Sequence, residues 1–297
     1  MEKFRRTFGY IFSHPLAKKH VVKAFFKFVF WQMQSRLQPS KFIIKPFIHD
    51  VNFYARKGLV GITGNIYTGL HEFTDMAFLL HFLRPDDVFY DIGANAGSYT
   101  LLASGVCKAQ TIAVEASAKT AVITQKNIYL NKLQNRVTLI NAAAGANVGT
   151  LSFSKDEDST NHVIAAEEVQ KVETETVNVI RIDDLTAKHQ AALIKIDVEG
   201  FETEVLKGMA ATLNQSSLKA IIIELNGCGA RYGFSDENIH QMLENKGFKP
   251  YQYDPFKREL TLLNTYGNHN TIYCRDVNFI YNRLKLAATF NVMGEYI

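Results

Sequence analysis

Apolar and polar positions alternate along this chain in two rhythms. Between residues 88 and 225, short apolar runs recur, and most are followed by a stretch with helical spacing. Residues 88–92, 111–115, 137–142, 192–198 and 218–225 read as buried strands, and residues 98–104, 119–130, 201–209 and 236–246 as helices. Apolar runs at 151–153 and 177–182 add strands around a polar loop at 156–162, and residues 249–253, 260–263 and 271–274 predict further β structure. This alternation predicts an α/β fold of the Rossmann-like, doubly wound kind, a mostly parallel sheet with helices on both faces. Upstream, residues 42–47 and 51–54 look β-like, Gly61 and Gly64 mark a turn, and residues 74–83 form a helix stopped by Pro85-Asp86-Asp87.

The first 41 residues have another style. Lys19, Lys23 and Lys27 recur every four positions, with Val21, Val22, Phe25, Phe26, Phe28, Val29, Phe30 and Trp31 between them. At helical spacing this is a lysine stripe on an aromatic cylinder. Two roles fit residues 18–34: packing on the protein's own body or on a dimer partner, and peripheral contact with an anionic membrane, lysines near the headgroups. The expected division is therefore a basic, aromatic-rich helical extension over 1–41 and one domain over 42–297.

Composition and charge sharpen this picture. With 47% hydrophobic residues the 297-residue chain has enough apolar surface for a full core. The net charge of +4 is unevenly spread: residues 1–41 hold nine Lys/Arg against Glu2 alone, so the body carries a slight acidic excess and gives no reason to expect nucleic acid. Cys107, Cys228 and Cys274 form no CxxC, which indicates neither a disulfide framework nor a zinc site and suits a reducing compartment. Ser13, His14 and Pro15 interrupt the first apolar run, against a secretion signal. No apolar run approaches the roughly 18 residues that span a bilayer. The expectation is a cytoplasmic protein, with membrane association through residues 18–34 as the open alternative.

The densest chemistry lies at Val88-Phe-Tyr-Asp91-Ile-Gly93-Ala94-Asn95-Ala-Gly97-Ser-Tyr-Thr100. A buried strand ends in an acid and passes through a glycine turn into a helix, as in folds that bind an adenosine-containing cofactor. Gly93 permits backbone angles closed to other residues and lets a ligand approach the main chain. A second apolar strand ends in Glu115, 24 residues after Asp91, and a carboxylate there can accept bonds from both ribose hydroxyls. A third, Leu193-Ile-Lys-Ile-Asp197-Val-Glu199-Gly-Phe-Glu202, delivers Asp197 to the same edge, and Ile221-Ile-Ile-Glu224 repeats the theme. Glu199 and Glu202 also have a plain explanation in the helix dipole, worth about 0.3–1 kcal/mol each.

A pyridine dinucleotide would need G-x-G-x-x-G and a backbone cradle for its pyrophosphate. Here position 95 is Asn and the strand ends in Asp91, which repels phosphate and suits a cation. S-Adenosylmethionine, with a sulfonium, an ammonium and no phosphate, fits better than NAD.

These motifs, with Asn127 and Asn131 in the helix after Glu115, make the chain resemble the FkbM-type methyltransferases from about Tyr67 to Glu224. The resemblance implies a seven-stranded sheet with an antiparallel hairpin strand, a cofactor core over about 67–225, bound S-adenosylmethionine, and O-methylation of sugar or natural-product hydroxyls. It also implies that Asp91, Gly93, Ala94, Asn95, Gly97 and Thr100 line the methionine end, and that Glu115 holds the ribose. Asn141, Ala142 and Ala143 would lie near the adenine. Gly69-Leu-His-Glu72 resembles the family's stretch before the cofactor motif, and Ala116-Ser117 departs from the family's Glu-Pro on the adenine side.

An alcohol acceptor needs a place for its proton. Asp197 and Glu224 are candidates, and His162 in the polar loop is a rival. No metal ligand set is expected, although acids at one rim can recruit a divalent ion. A non-catalytic scaffold on the same fold and an NAD-dependent oxidoreductase are the competing readings. The acceptor, a small molecule or glycan, is not legible. Gly227, Gly229, Tyr232 and Gly233 are expected to form a loop over the substrate side.

Overall fold

The computed structural model describes residues 2–155, 161–165 and 173–297. Two helices, α1 (Glu2–Ser13) and α2 (Val21–Leu37), precede a hairpin of β1 (Ile43–Pro46) and β2 (Asn52–Ala55), then α3 (Val60–Thr68) and α4 (Phe73–Phe82). Next come β3 (Val88–Ile92), α5 (Ser98–Thr100) with a wide turn to Val106, β4 (Gln110–Glu115), α6 (Ala118–Leu130) and β5 (Val137–Asn141). A small sheet of β6 (Ala143–Ala144), β7 (Gly149–Ser154) and β8 (Thr174–Ile180) interrupts the series. After it follow α7 (Ile182–Thr186), β9 (Leu193–Ile196), α8 (Glu202–Lys207), β10 (Ala220–Glu224) and α9 (Asp236–Glu244). The remaining elements are β11 (Lys249–Asp254), β12 (Glu259–Leu262), β13 (Asn270–Cys274), α10 (Val277–Lys285) and a hairpin of β14 (Asn291–Val292) and β15 (Glu295–Tyr296).

The main sheet runs β12-β11-β13-β10-β9-β3-β4-β5. The five strands from β10 to β5 are parallel, and β13 enters antiparallel between β10 and β11. The alternating pattern is thus realised as a doubly wound sheet. Successive residues of β10 show why: Ile222 joins one buried cluster, with Phe78, Leu101 and Ile123, while Ile221 and Ile223 join the other, with Val205, Leu206 and Ile239. A strand covered on both faces has no polar side, so it reads as a continuous apolar run.

Four details differ from the sequence-based expectation. The sheet has eight described strands, not seven. The extra one is β12, folded back on β11 by a turn in which the Asp254 carboxylate accepts the N–H groups of Phe256 and Lys257. The runs at 151–153 and 177–182 build the separate small sheet, and Ile182 opens α7. Gly61 and Gly64 sit inside α3 rather than in a turn. A Cβ on Gly61 would lie 3.0 Å from the Asn95 amide, and one on Gly64 2.9 Å from the His71 Cβ, so the first lets α3 press against the cofactor loop and the second against the segment before α4.

The fourth concerns which groups α2 leaves outside; its packing on the body is one of the two expected roles. Ile11, Leu16, Ala24, Phe28 and Trp31 belong to the same buried cluster as the body. The lysines of the stripe reach the C-terminal segment with their ammonium groups. Lys19 pairs with Glu295 at 2.8 Å, Lys23 donates to the Met293 carbonyl at 2.8 Å, and Lys27 reaches the Met293 sulfur. Between its exposed Lys23 and Arg36, α2 shows solvent an apolar line of Val22, Phe26, Phe30, Met33 and Leu37. Among the described residues no helix is long and apolar enough to cross a membrane.

Candidate active site

Strand register brings the chemistry to one rim. Ile92 lies opposite Val114 and Ile196, and Ile196 opposite Ile223. The next residues on each strand, Gly93, Glu115, Asp197 and Glu224, therefore emerge side by side at the carboxyl ends, where open α/β sheets bind ligands. They border a cavity of about 300 Å³.

Of the residues singled out from sequence, Glu72, Gly93, Ala94, Asn95, Glu115, Ala116, Ala142, Ala143, Asp197 and Glu224 line this cavity. The structure puts Asp91, Gly97, Thr100, Asn141 and His162 behind its wall. Asp91 is 1% exposed; its Oδ2 accepts from the Thr100 N–H at 2.9 Å and hydroxyl at 2.6 Å, fastening the new helix to the end of β3. Burial pushes its carboxyl up, and its Oδ1 has no hydrogen-bond partner. Gly97 takes φ +86° at the helix start, where its N–H donates to the Ala94 carbonyl. Asn141 donates to the Glu115 and Ala116 carbonyls at 2.8 and 2.9 Å, holding the loop that follows β4. His162 is buried, and its backbone N–H donates to the Ser154 hydroxyl at 2.9 Å, while its neighbours Asn161 and Val163 line the cavity. Residues 156–160 of its loop lie outside the described residues.

Gly93 has a different reason than ligand approach. A Cβ there would meet the Asp197 carbonyl oxygen at 1.8 Å, so the glycine admits the loop that leaves β9. Its φ of +80° excludes most side chains as well. Glu115 is 8% exposed and bound by its own backbone: Oε2 accepts from the Asn95 N–H at 2.8 Å and Oε1 from the Ser117 N–H at 2.9 Å. Burial still pushes its carboxyl up to about 7. Asn127 and Asn131 serve the frame, tying β2 to α6 through the backbone of Tyr54 and Asn52.

Lys195, Tyr99, His71 and Glu199 also line the cavity and were not picked out as site residues. Lys195 is 3% exposed, 2.7 Å from the Asp197 Oδ2 and 4.8 Å from the centre of the Tyr99 ring. Burial works against its charge, but Asp197, Glu72 and Asp91 outweigh that and hold it protonated. A lone lysine inside the run Leu193–Ile196 was the available signal, because buried lysines are rare unless paired. Burial would lift the Glu72 carboxyl too, yet His71 and Lys195 hold it below the usual range. Asp197, Glu199 and Glu224 offer carboxylate oxygens within 4.8 Å of one another, a spacing that also suits a divalent cation. Their crowding has a cost. Burial, then Asp197 and Glu199, pushes Glu224 up to about 9, and burial with Asp197 pushes Glu199 to about 7.

This donor set fits S-adenosylmethionine. The lining carries Glu72, Glu115, Asp197, Glu199 and Glu224, and its one ammonium, Lys195, is bound to Asp197. A sulfonium and an ammonium find complementary charge, whereas a pyrophosphate would find no free lysine or arginine among the lining residues. Small Ala142, Ala143 and Ala144, with Val114, Phe153 and Val163, give the cavity an apolar share of its lining, the surroundings a base needs.

A family model and one relative agree with this. A model of the methyltransferase FkbM domain matches residues 91–250, just over half of the chain. Hexuronic acid methyltransferase AglP of Haloferax volcanii is 30% identical over 193 residues, a stretch covering 62% of this chain and 76% of that protein. Among solved structures, the precorrin-6y C5,15-methyltransferase of Geobacter metallireducens overlaps with a TM-score of 0.41 at 15% identity, over 75% of this chain and 93% of its own. The dinucleotide and scaffold readings give way to that family match, and the acidic cavity agrees with it: the chain belongs to the FkbM family of S-adenosylmethionine-dependent methyltransferases.

Proposed function

We propose that this methyltransferase acts on a hydroxyl of a sugar or glycan. The name of the Haloferax relative supports a sugar acceptor. The observation that carries the reading is Glu224, which borders both the cofactor cavity and a second cavity of about 540 Å³ next to it. A carboxyl between donor and acceptor spaces is where a hydroxyl proton must go.

S-Adenosylmethionine, when bound, supplies a methyl group already activated on its sulfonium. The protein's share is orientation and proton handling, of which positioning alone can supply roughly 7–11 kcal/mol. We assign Glu72, Gly93, Ala94, Asn95 and Asp197 to the methionine end, Glu115 to the ribose, and Ala116, Ala142 and Ala143 to the adenine side. Asp91, Gly97, Thr100 and Asn141 shape this wall from behind. Glu224 is the proton acceptor: its Oε2 is buried without a hydrogen-bond partner. Asp197, held by Lys195, orients the hydroxyl, and His162 takes no part in the chemistry.

The test is incubation with S-adenosylmethionine and a panel of glycosides, reading S-adenosylhomocysteine and O-methyl product. Methylation only of amines or of non-sugar hydroxyls would overturn the sugar reading. Loss of turnover in His162→Ala, with Glu224→Gln unaffected, would overturn the assignment of the base.

We also propose that the outer face of α2 rests on an anionic membrane surface. Phe26 and Phe30 are 64% and 62% exposed, one helical turn apart, in line with Val22, Met33 and Leu37. Exposed Lys18, Lys23, Arg36 and Lys41 flank the stripe, and no acid occurs between Glu2 and Asp50. An apolar stripe with a cationic fringe matches acyl chains under anionic headgroups. The free thiols of Cys107, Cys228 and Cys274 favour the cytoplasmic leaflet. Co-sedimentation with phosphatidylserine vesicles should be lost in Phe26→Glu/Phe30→Glu. Wild-type dimerisation abolished by the same pair, without vesicle binding, would mean that a second copy covers this face instead.

A further inference from the structure

We infer that the second cavity selects a sugar without a carboxylate, a neutral or amino sugar, against a hexuronic acid. This rests on the sugar reading above and goes beyond it, since it separates this protein from the relative named for hexuronic acid.

The cavity of about 540 Å³ is built from the start of α4 and from β11 and β13, and it shares Glu72 and Glu224 with the cofactor space. Asp75 adds a third carboxyl, and its Oδ2 accepts from the Asn270 amide at 3.1 Å. Tyr251 and Gln252 supply a ring and a second amide, and exposed His269 stands at the edge. No lysine or arginine occurs among the lining residues.

The charge balance decides the ligand. A uronate binds well where arginine or lysine meets its carboxylate, preferably through paired hydrogen bonds. Here the same group would approach Glu72, which His71 and Lys195 keep ionised from the other side. It would also approach Asp75, which burial and the Glu72 charge push up to about 7. The ionised Glu72 accepts, the Asp75 carboxyl is part-protonated near neutral pH, and with the Asn270 and Gln252 amides they form a set of donors and acceptors suited to vicinal hydroxyls. An ammonium on the sugar is welcome in the same surroundings. An anion meets like charge, and no lysine or arginine of the lining offsets it.

The experiment compares kcat/KM of the full-length protein, with saturating S-adenosylmethionine, for a methyl hexoside, the matching 2-amino-2-deoxyhexoside and the matching hexuronide. At least one uncharged or amino sugar should exceed the uronide by tenfold or more at pH 8. Gln252→Arg, at an exposed position that tolerates a long side chain, should raise the uronide's share by at least fivefold. A uronide preference in the wild type overturns the inference and leaves the sugar reading standing. An unchanged ratio in Gln252→Arg overturns it too, since charge in the cavity would then not select. Turnover of none of the three sugars by protein that binds S-adenosylmethionine overturns the sugar reading, and the inference with it.

Discussion

The backbone of Gly93 packs directly on that of Asp197. The Asp197 N–H donates to the Ile92 carbonyl at 3.0 Å, and the Asp197 carbonyl oxygen occupies the place of the missing Gly93 side chain. Two motifs more than 100 residues apart thus form one contact. Each needs the other: the first glycine turn opens the space, and the second loop fills it and presents its carboxylate to the cavity.

Gly93→Ala should therefore separate the two loops. A positive φ in a residue with a Cβ costs about 1–3 kcal/mol, and overpacking costs a similar amount. The expected result is a fall in melting temperature of about 5–15 °C. S-Adenosylmethionine affinity by calorimetry should drop by at least tenfold at a temperature where the variant is folded.

Lys195→Met removes the cation paired with Asp197 beside Glu199 and Glu224. Removing one member of a buried ion pair typically costs about 3–5 kcal/mol. The double variant Lys195→Met/Asp197→Asn should recover much of that loss in thermal denaturation while staying inactive. Equal melting temperatures for the single and double variants would mean that the pair contributes little.

Glu224 sets a pH dependence with a definite sign. Its folded pKa is raised to about 9, so at neutral pH it mostly holds a proton and cannot accept another. Turnover should rise with pH and level off near 9, or lower once a cationic ligand beside it draws the value down. Glu224→Gln should lose this limb and lower kcat by about 10²–10⁴-fold, with S-adenosylmethionine binding nearly unchanged.

Asp75 offers a stability test. Its carboxyl is raised from 3.8 to about 7, so between those values the folded protein binds a proton that the unfolded chain has released. Stability contributed by this group falls as pH rises through that window and is lowest above it. Asp75→Asn should raise the melting temperature relative to wild type at pH 8 and lose that advantage near pH 4.

Chelation tests the role of the acidic rim. With Lys195 already on Asp197, and with Glu199 and Glu224 raised to about 7 and 9, the rim holds a cation and protons of its own. Dialysis against EDTA should leave turnover unchanged, and added Mg²⁺ or Mn²⁺ should not stimulate it. A loss restored by one cation would make the trio a metal site.

Some of this was legible along the chain. Strands buried on both faces leave apolar runs, and residues at strand ends must sit at a sheet edge, so Glu115, Asp197 and Glu224 could be assigned to one rim by counting. Glycine turns after a strand mark the same edge. Asp91 and Asn95 pointed to S-adenosylmethionine and the family resemblance added O-methylation, but neither could say which motif residues face the cofactor. Asp91 and Thr100 bind each other behind the wall, and nothing local separates that from facing a ligand.

The rest depends on neighbours distant in sequence. Asn270 meets Asp75 across 195 positions, and Lys19 meets Glu295 across 276. The first contact builds the second cavity from a segment in which no motif was apparent. The second ties the segment before α2 to the C-terminal hairpin, and in that arrangement Phe26 and Phe30 stand in solvent, which the lysine spacing alone did not foretell. Periodicity says that a helix has two sides, because side-chain spacing is a local property of the backbone. Which side is buried depends on the surface that arrives to cover it, and only the tertiary structure supplies that surface.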